Sequence, residues 1–439
     1  MMKCLLGLLC FAVLPGCGDD EADGAVGPGG TAGVSGDGGG QAGSAGVAGH
    51  SGASGHAGAA GQAGAVGCPS LLPEAVAFNH DADVGRFRVQ NDPPGSDLGT
   101  FDPSFVLAAD GSHALSYTSV DLARNKLHTR IAVSSDGSSF AFVAEANSAQ
   151  QNVQVEVLGD PDCPGGVCNN ATIIHEVSGL IEDVSDPDAT ARWKLFTHSY
   201  VTLEPDPQDP NTPRLRYPYG HIRLAVAPAP SGPWSEPAPM IGWPSAAPFS
   251  SEAPVLVTDI DGMQECLMLT EPSAAIDEDS GALELAVGCV VAHGAAHAIR
   301  IDLLRSTDHG ATWSRAHPLL DGADAICIGA ESPEINAAHL FTRGGQRYLI
   351  ATPAGTVTFP GGATGSGYRG CLVFRRTPDG VERDAEGAPI VVGLVDPGDG
   401  VFAGACSHHP LGGYVASVLS FASPPDLFRM FGPVGQQLP

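Results

Sequence analysis

The sequence predicts an all-β fold, a five-bladed β-propeller preceded by a disordered, glycine-rich tether. Three observations predict it. A unit of apolar strand, tight turn and alternating strand recurs five times between residues 101 and 421. Four of the five are followed by a second matching element, a strand that runs into a glycine-containing turn. Helical periodicity is nearly absent, so strands must supply the core.

The first element is a targeting segment, residues 1–16. MMKCLLGLLCFAVLPGC has a basic start at Lys3 and an apolar run from Leu5 to Leu14, too short to span a bilayer as a stable helix. It ends in Leu14-Pro15-Gly16-Cys17, which resembles a bacterial lipobox. The resemblance implies cleavage before Cys17 and lipidation of that residue. The chain is then expected in the cell envelope, on the periplasmic or extracellular face, with a lipid anchor as its sole membrane attachment. Ordinary secretory cleavage nearby is the alternative.

The second element is the tether, residues 17–67. From Gly24 to Gly67 nearly every third residue is glycine, with one slip of frame between Gly39 and Gly40. A strict Gly-X-Y period suggests a collagen triple helix, which draws rigidity from imino acids at X and Y. This segment holds one proline, Pro28, so a flexible coil is expected. Such a coil reaches roughly 35–40 Å on average.

The third element, residues 68–439, carries the repeats. The units are Phe101 to Ser119, Ile181 to Tyr200, Ser250 to Pro272, Ser332 to Pro353 and Gly404 to Phe421, opening near residues 102, 182, 252, 334 and 406. The second elements are RIAVSSDGSSF, HIRLAVAPAPSGPW, AIRIDLLRSTDHGATW and CLVFRRTPDGV. Five units of four strands make a five-bladed propeller, with a β-sandwich as the alternative.

Composition limits the partners. The chain of 439 residues has 49 acidic against 21 basic side chains, a net charge of −28. Nucleic-acid binding needs clustered Lys and Arg, so it is disfavoured. Such a surface repels itself, in keeping with a monomer. Eight cysteines follow Cys17, an even count that reads as disulfides in an exported chain. Cys163 with Cys168 closes a short loop, and Cys266 with Cys289 lies on neighbouring strands. Cys68, Cys327, Cys371 and Cys406 are left unassigned. No clustered His or CxxC spacing calls for a metal site.

RSTDHGATW, Arg305 to Trp313, has the Ser306-x-Asp308-x-Gly310-x-Thr312-Trp313 shape of an Asp-box, and resembles the turn of sialidases and other propellers. Its physics is structural: Asp308 accepts backbone N–H groups, Gly310 supplies a positive φ and Trp313 buries its ring.

DPS followed by DG, then LSYTS, IAVSSDG and the SGPW turn, resembles the five-bladed propeller glycosidases, the arabinanase/xylosidase-like and fructosidase-like hydrolases. The resemblance covers residues 95–439 in outline. It implies catalytic carboxylates where the innermost strands begin at the central funnel. Asp102 matches the first-blade Asp and is the expected base. Glu252 and Glu334 occupy strand openings in blades three and four as candidate acids. Glu182 or Asp183 does so in blade two, and His408 in blade five is a candidate substrate ligand. Carboxylates converging on one axis raise one another's pKa, which keeps a general acid protonated. No cofactor is required, and His408 is also a candidate to hold a calcium ion in the channel through water.

Two functions are therefore carried forward. One is glycoside hydrolysis by paired carboxylates in the funnel. The other is a non-catalytic propeller that binds a glycan or a protein partner at the cell surface. Sialidase chemistry stands a distant third, because a chain this acidic opposes an anionic sugar.

Overall fold

The computed structural model describes residues 72–77, 85–121, 127–156, 167–203, 214–243, 253–293, 296–358, 364–396, 398, 401–419 and 427–434. The expected signal peptide, Cys17, the glycine-rich tether, Cys68, Cys163 and Glu252 lie outside these residues. Among the described residues, α-helix is confined to Gly322–Cys327, whose first turn Asp321 caps by accepting from the Asp324 N–H at 2.9 Å. Everything else of regular form, one short 3-10 turn aside, is β-strand.

The strands fall into antiparallel runs. The first run comprises Gly99–Leu107, His113–Val120, Leu127–Ser134 and Ala141–Ser148. The second comprises Val167–Glu182, Trp193–Leu203, Arg214–Ala227 and Ala238–Gly242. The third comprises Cys266–Ile276, Leu283–His293, Ala296–Ser306 and Ser314–Leu320. Next come Ile335–Arg343, Gln346–Thr358, Cys371–Thr377 and Val391–Asp396. The last is Ala403–His408, Tyr414–Leu419 and Phe428–Val434, completed by Arg86–Phe87 from the other end of the chain.

The opening strand of each run touches the opening strand of the next, and Ala403–His408 touches Gly99–Leu107. The inner strands thus close a ring, which removes the free edges an open sheet would expose. One parallel pair, Phe428 with Gly99, also bonds the last run to the first. Gly99 is required there, since a Cβ would lie 1.9 Å from the Phe428 carbonyl oxygen.

Each inner strand carries the same irregularity. The pairing register shifts between Phe101 and Ser104, Glu176 and Ser178, Thr270 and Ser273, Asn336 and His339, and Gly404 and Ser407. Within these bulges a non-glycine residue adopts the left-handed region: Asp102 (φ 53°), Val177 (44°), Glu271 (49°), Ala337 (49°) and Ala405 (45°). Such a conformation costs an L-residue about 1–2 kcal/mol. A bulge re-aims a side chain, and this one recurs at equivalent points around the ring.

These bulges correct the repeat register expected from sequence. Glu182 ends its inner strand instead of opening it, and the third inner strand begins at Cys266, past the expected opening at 252. Even spacing was the guide, whereas the interval from Val177 to Glu271 is the longest of the series.

Cys266 is bonded to Cys289 as expected, with Cα atoms 5.3 Å apart. Cys371–Cys406, which spacing left open, ties the fourth run to the inner strand of the last, Cα to Cα 6.2 Å. Cys168 and Cys327 are also disulfide-bonded, and the expected partner of Cys168 lies outside the described residues.

The RSTDHGATW turn is held by its own side chains. Ser306 Oγ donates to Asp308 Oδ1 (2.7 Å) and accepts from the Gly310 N–H (2.8 Å). Asp308 also accepts from the Thr312 N–H (2.9 Å) and hydroxyl (2.6 Å). These bonds, those from Thr312 first, hold the Asp308 carboxyl down at about 2. Trp313 donates to the Gly310 carbonyl (3.0 Å) and lies edge-on to Phe196 of the second run, ring centres 5.9 Å apart. Ser134, Asp136, Gly137 and Ser138 repeat the bonding in the first run.

Candidate functional site

The bulges bring three acids together at one end of the channel. Asp102, Glu176 and Glu271 come from three successive inner strands and line one cavity. Glu176 sits one residue ahead of the left-handed position in its strand, and Asp102 and Glu271 occupy it. All three are buried.

Each acid is held differently. The Asp102 N–H donates to Ser417 Oγ (2.8 Å), while its carboxyl Oδ2 is buried with no hydrogen-bond partner. Glu176 accepts from the Tyr200 hydroxyl at 2.6 Å through Oε1, and its Oε2 has no partner. Glu271 is fully held: the Tyr368 hydroxyl donates to Oε1 (2.5 Å) and the Ala337 N–H to Oε2 (2.7 Å). Asn336 donates in turn to the Tyr368 oxygen at 3.2 Å.

Electrostatics follow from burial. Desolvation lifts Asp102 well above the carboxylate range, and the charges of Glu176 and Glu271 lift it further. Desolvation takes Glu176 to about 8 against the opposing hydrogen bond from Tyr200. It takes Glu271 to about 7, the bonds from Tyr368 and Ala337 restraining the rise. At neutral pH the trio therefore holds mostly uncharged acids. Buried, unpaired polar atoms and strained backbone in one place are typical of sites that act on something, because stability alone would select against both.

The space available is small. The cavity measures about 20 Å³ and is walled by Phe101, Tyr368, Phe402, Leu419 and Phe428. That is room for about one water molecule. A sugar ring needs more room than this, so the apolar lining must give way to admit one. A second void of about 20 Å³ lies deeper, between the same bulges and His339. Residues 122–126, 204–213, 294–295, 359–363 and 420–426 lie outside the described residues.

Of the candidates from sequence, Asp102 belongs to the trio. Glu334 precedes its inner strand, bridges to Ile299 and is raised to about 7 by burial, but it is not among the residues lining the cavity. Asp183 is buried against His309 (2.9 Å) and Lys194 (3.9 Å), and Lys194 also meets Asp186 at 2.5 Å. Asp183, Asp186 and His309 have the proximity of a metal cluster, yet the Lys194 ammonium already serves both carboxylates. Glu182 and His408 sit at the opposite end of the channel, around a larger cavity.

Sequence reading missed Glu176 and Glu271. A signal for Glu271 existed: Thr270-Glu271-Pro272-Ser273 repeats the acid-Pro-Ser pattern of Asp102-Pro103-Ser104. Glu176, in HEVS, has no such marker.

No family model and no curated protein matches the sequence. Solved structures with a similar fold include a thermostable family-43 glycoside hydrolase, 14% identical, covering 78% of this chain and 91% of that one at a TM-score of 0.41. The arabinanase of Bacillus subtilis is 14% identical over 78% of this chain and 94% of that one, TM-score 0.40. The exo-inulinase of Aspergillus awamori is 14% identical over 80% and 64%, TM-score 0.46. All three are glycoside-hydrolase propellers, and the likeness concerns the fold.

Proposed function

We propose that the chain is a carbohydrate-acting, five-bladed propeller that hydrolyses a glycosidic bond with the Asp102–Glu176–Glu271 trio. The observation that carries this reading is the convergence of three acids, two of them with an unpaired oxygen, from equivalent bulges onto one cavity. Glu271, near half-protonated at neutral pH, gives its proton to the leaving-group oxygen as the glycosidic C–O bond breaks. Asp102 takes a proton from the water whose oxygen bonds to the anomeric carbon. After burial, the charge of Glu176 is what lifts Asp102 most, so Glu176 tunes the base.

The small cavity sets a condition on this scheme. Asp102 must be ionised to act as a base, and burial keeps it neutral. Displacement of Phe101, Phe402 and Phe428 admits the sugar and rehydrates Asp102, lowering its pKa. Space and charge are then supplied in one step. The chain's export as a lipoprotein anchored at Cys17 belongs to the same reading. Incorporation of a labelled fatty acid, abolished by Cys17→Ser, tests it.

The test of hydrolysis is turnover of a panel of aryl glycosides by the wild type, Asp102→Asn and Glu271→Gln. Loss of at least about 100-fold in kcat/KM in both variants is expected, the scale of removing a positioned acid or base. Equal rates in all three proteins remove the trio from the chemistry. The second reading, a non-catalytic glycan- or protein-binding propeller, is favoured by the 20 Å³ of the cavity. Absence of turnover across the panel, with soluble glycans still bound, would select it.

A further inference from the structure

The inner strands end, opposite the trio, in a far larger space. A cavity of about 470 Å³ is walled there by the last residues of all five inner strands, among them Leu107, Glu182, Ile276, Arg343 and His408. The turns closing this end, 108–112, 183–192, 277–282, 344–345 and 409–413, are all described. Much of the wall is apolar: Phe105, Val106, Leu180, Ile181, Leu340 and Phe341.

Its polar groups are unbalanced. Arg343 Nη1, His408 Nε2 and His113 Nδ1 are each buried without a hydrogen-bond partner. Arg343 forms no ion pair among the described residues, in a chain whose acids outnumber its bases 49 to 21. Phe341 stacks on His408 with ring centres 4.4 Å apart and planes 8° from parallel, which fixes the imidazole beside the cavity. On the facing wall Glu182 already accepts from the Ala109 N–H at 2.7 Å, and Glu278 is exposed at the rim. At Arg343 the unmet demand is for an acceptor, and the neutral His408 beside it meets the same anion through Nε2 in its N–H tautomer. Arg343 is half-buried, and its covered Nη1 has no protein acceptor, so a bound anion supplies one.

The geometry points to this cavity as a binding site for a small amphipathic organic anion, its carboxylate on Arg343 and His408 and its apolar body along Phe105, Leu180 and Phe341. The planar guanidinium suits a carboxylate, which it bonds with two parallel N–H groups. The site is separate from the trio, and its existence does not depend on glycoside hydrolysis.

The experiment is calorimetric titration of the full chain with 4-phenylbutyrate and with its uncharged amide. Saturable binding of the acid, at least about 10-fold tighter than the amide, is expected, since a hydrogen bond to a charged group is worth roughly 10- to 100-fold. Arg343→Gln brings the acid's affinity down to the amide's, while aryl-glycoside turnover, or its absence, stays as in the wild type. Leu411→Trp, at a cavity-lining position 54% exposed, fills the mouth from outside the core and abolishes binding of both probes. Equal affinity for acid and amide, no saturable binding of either, or full binding in Arg343→Gln each overturns the assignment.

Discussion

Tyr368 donates a 2.5 Å hydrogen bond to Glu271 from 97 residues further along the chain. The pair joins the inner strand of the third run to the fourth, so one buried hydroxyl both positions the carboxyl and restrains its pKa. Tyr368→Phe removes the donor. It is expected to cost about 1–3 kcal/mol, the penalty for stranding a buried acceptor. Because this bond lowers Glu271, its loss shifts the alkaline limb of any pH–rate profile upward from about 7. Urea unfolding and a pH profile measure the two effects, and an unmoved limb would separate Glu271 from the acid role.

Asp102 offers a test of strain against function. Its φ of 53° suits asparagine better than most residues, and its neutral carboxyl has an unpaired oxygen. Asp102→Asn is expected to leave the melting temperature unchanged or raise it. Asp102→Ala, with the same backbone and no local bonding, falls by about 1 kcal/mol. A steep loss in the Asn variant would mean that the acid is held for stability.

The pH dependence of stability has a definite sign above pH 6.5. Glu176 and Glu271 are raised to about 8 and 7 from an ordinary 4.5, so the stability tied to their protonated forms is lost as pH rises through those values. The buried His175, His198 and His339, lowered to about 3, and His408, lowered to about 4, act oppositely, losing stability only below 6.5. Melting temperature should therefore fall between pH 6.5 and 8.5. Asp102 and Glu334 are raised too and act in the same direction, so the double variant Glu176→Gln, Glu271→Gln should make that limb shallower without abolishing it, as calorimetry at four or five pH values would reveal.

Cys371–Cys406 spans 35 residues and clamps the last inner strand to its neighbour. Loop entropy assigns such a crosslink about 3–4 kcal/mol. Replacing both cysteines by serine should lower stability by that order. An unchanged unfolding midpoint would show that ring closure does not depend on the bridge.

Trp313 anchors its turn against Phe196 of the preceding run. Trp313→Ala is expected to cost about 3–5 kcal/mol by emptying buried volume. The charge state of the distant trio should be untouched, so the rate per folded molecule stays constant. A loss of specific activity in the folded fraction would contradict the structural role of this turn.

Much of the fold was legible in the sequence. Alternating strands, the turn chemistry of Ser134–Asp136 and Ser306–Asp308, and the Cys266–Cys289 spacing are local patterns that report local structure. Asp102 was legible because DPS followed by DG resembles the first-blade motif of the propeller glycosidases. Glu176 was not, because an acid in the middle of a long strand looks like any other. Glu271 was passed over because spacing favoured an earlier opening, and insertions between runs change spacing without changing the bulge that defines the position.

The sequence by itself determined the strand-rich class, the repeat and the acidic surface, all of which depend on residue type and nearest neighbours. Tertiary structure alone decided which acids meet, that they share a small cavity with Phe101, Phe402 and Phe428, and that Arg343 lines the larger cavity at the other end. These are consequences of closing a ring. Closure brings into contact strands that lie tens to hundreds of residues apart, and the burial it creates sets both the pKa values and the room left for a ligand.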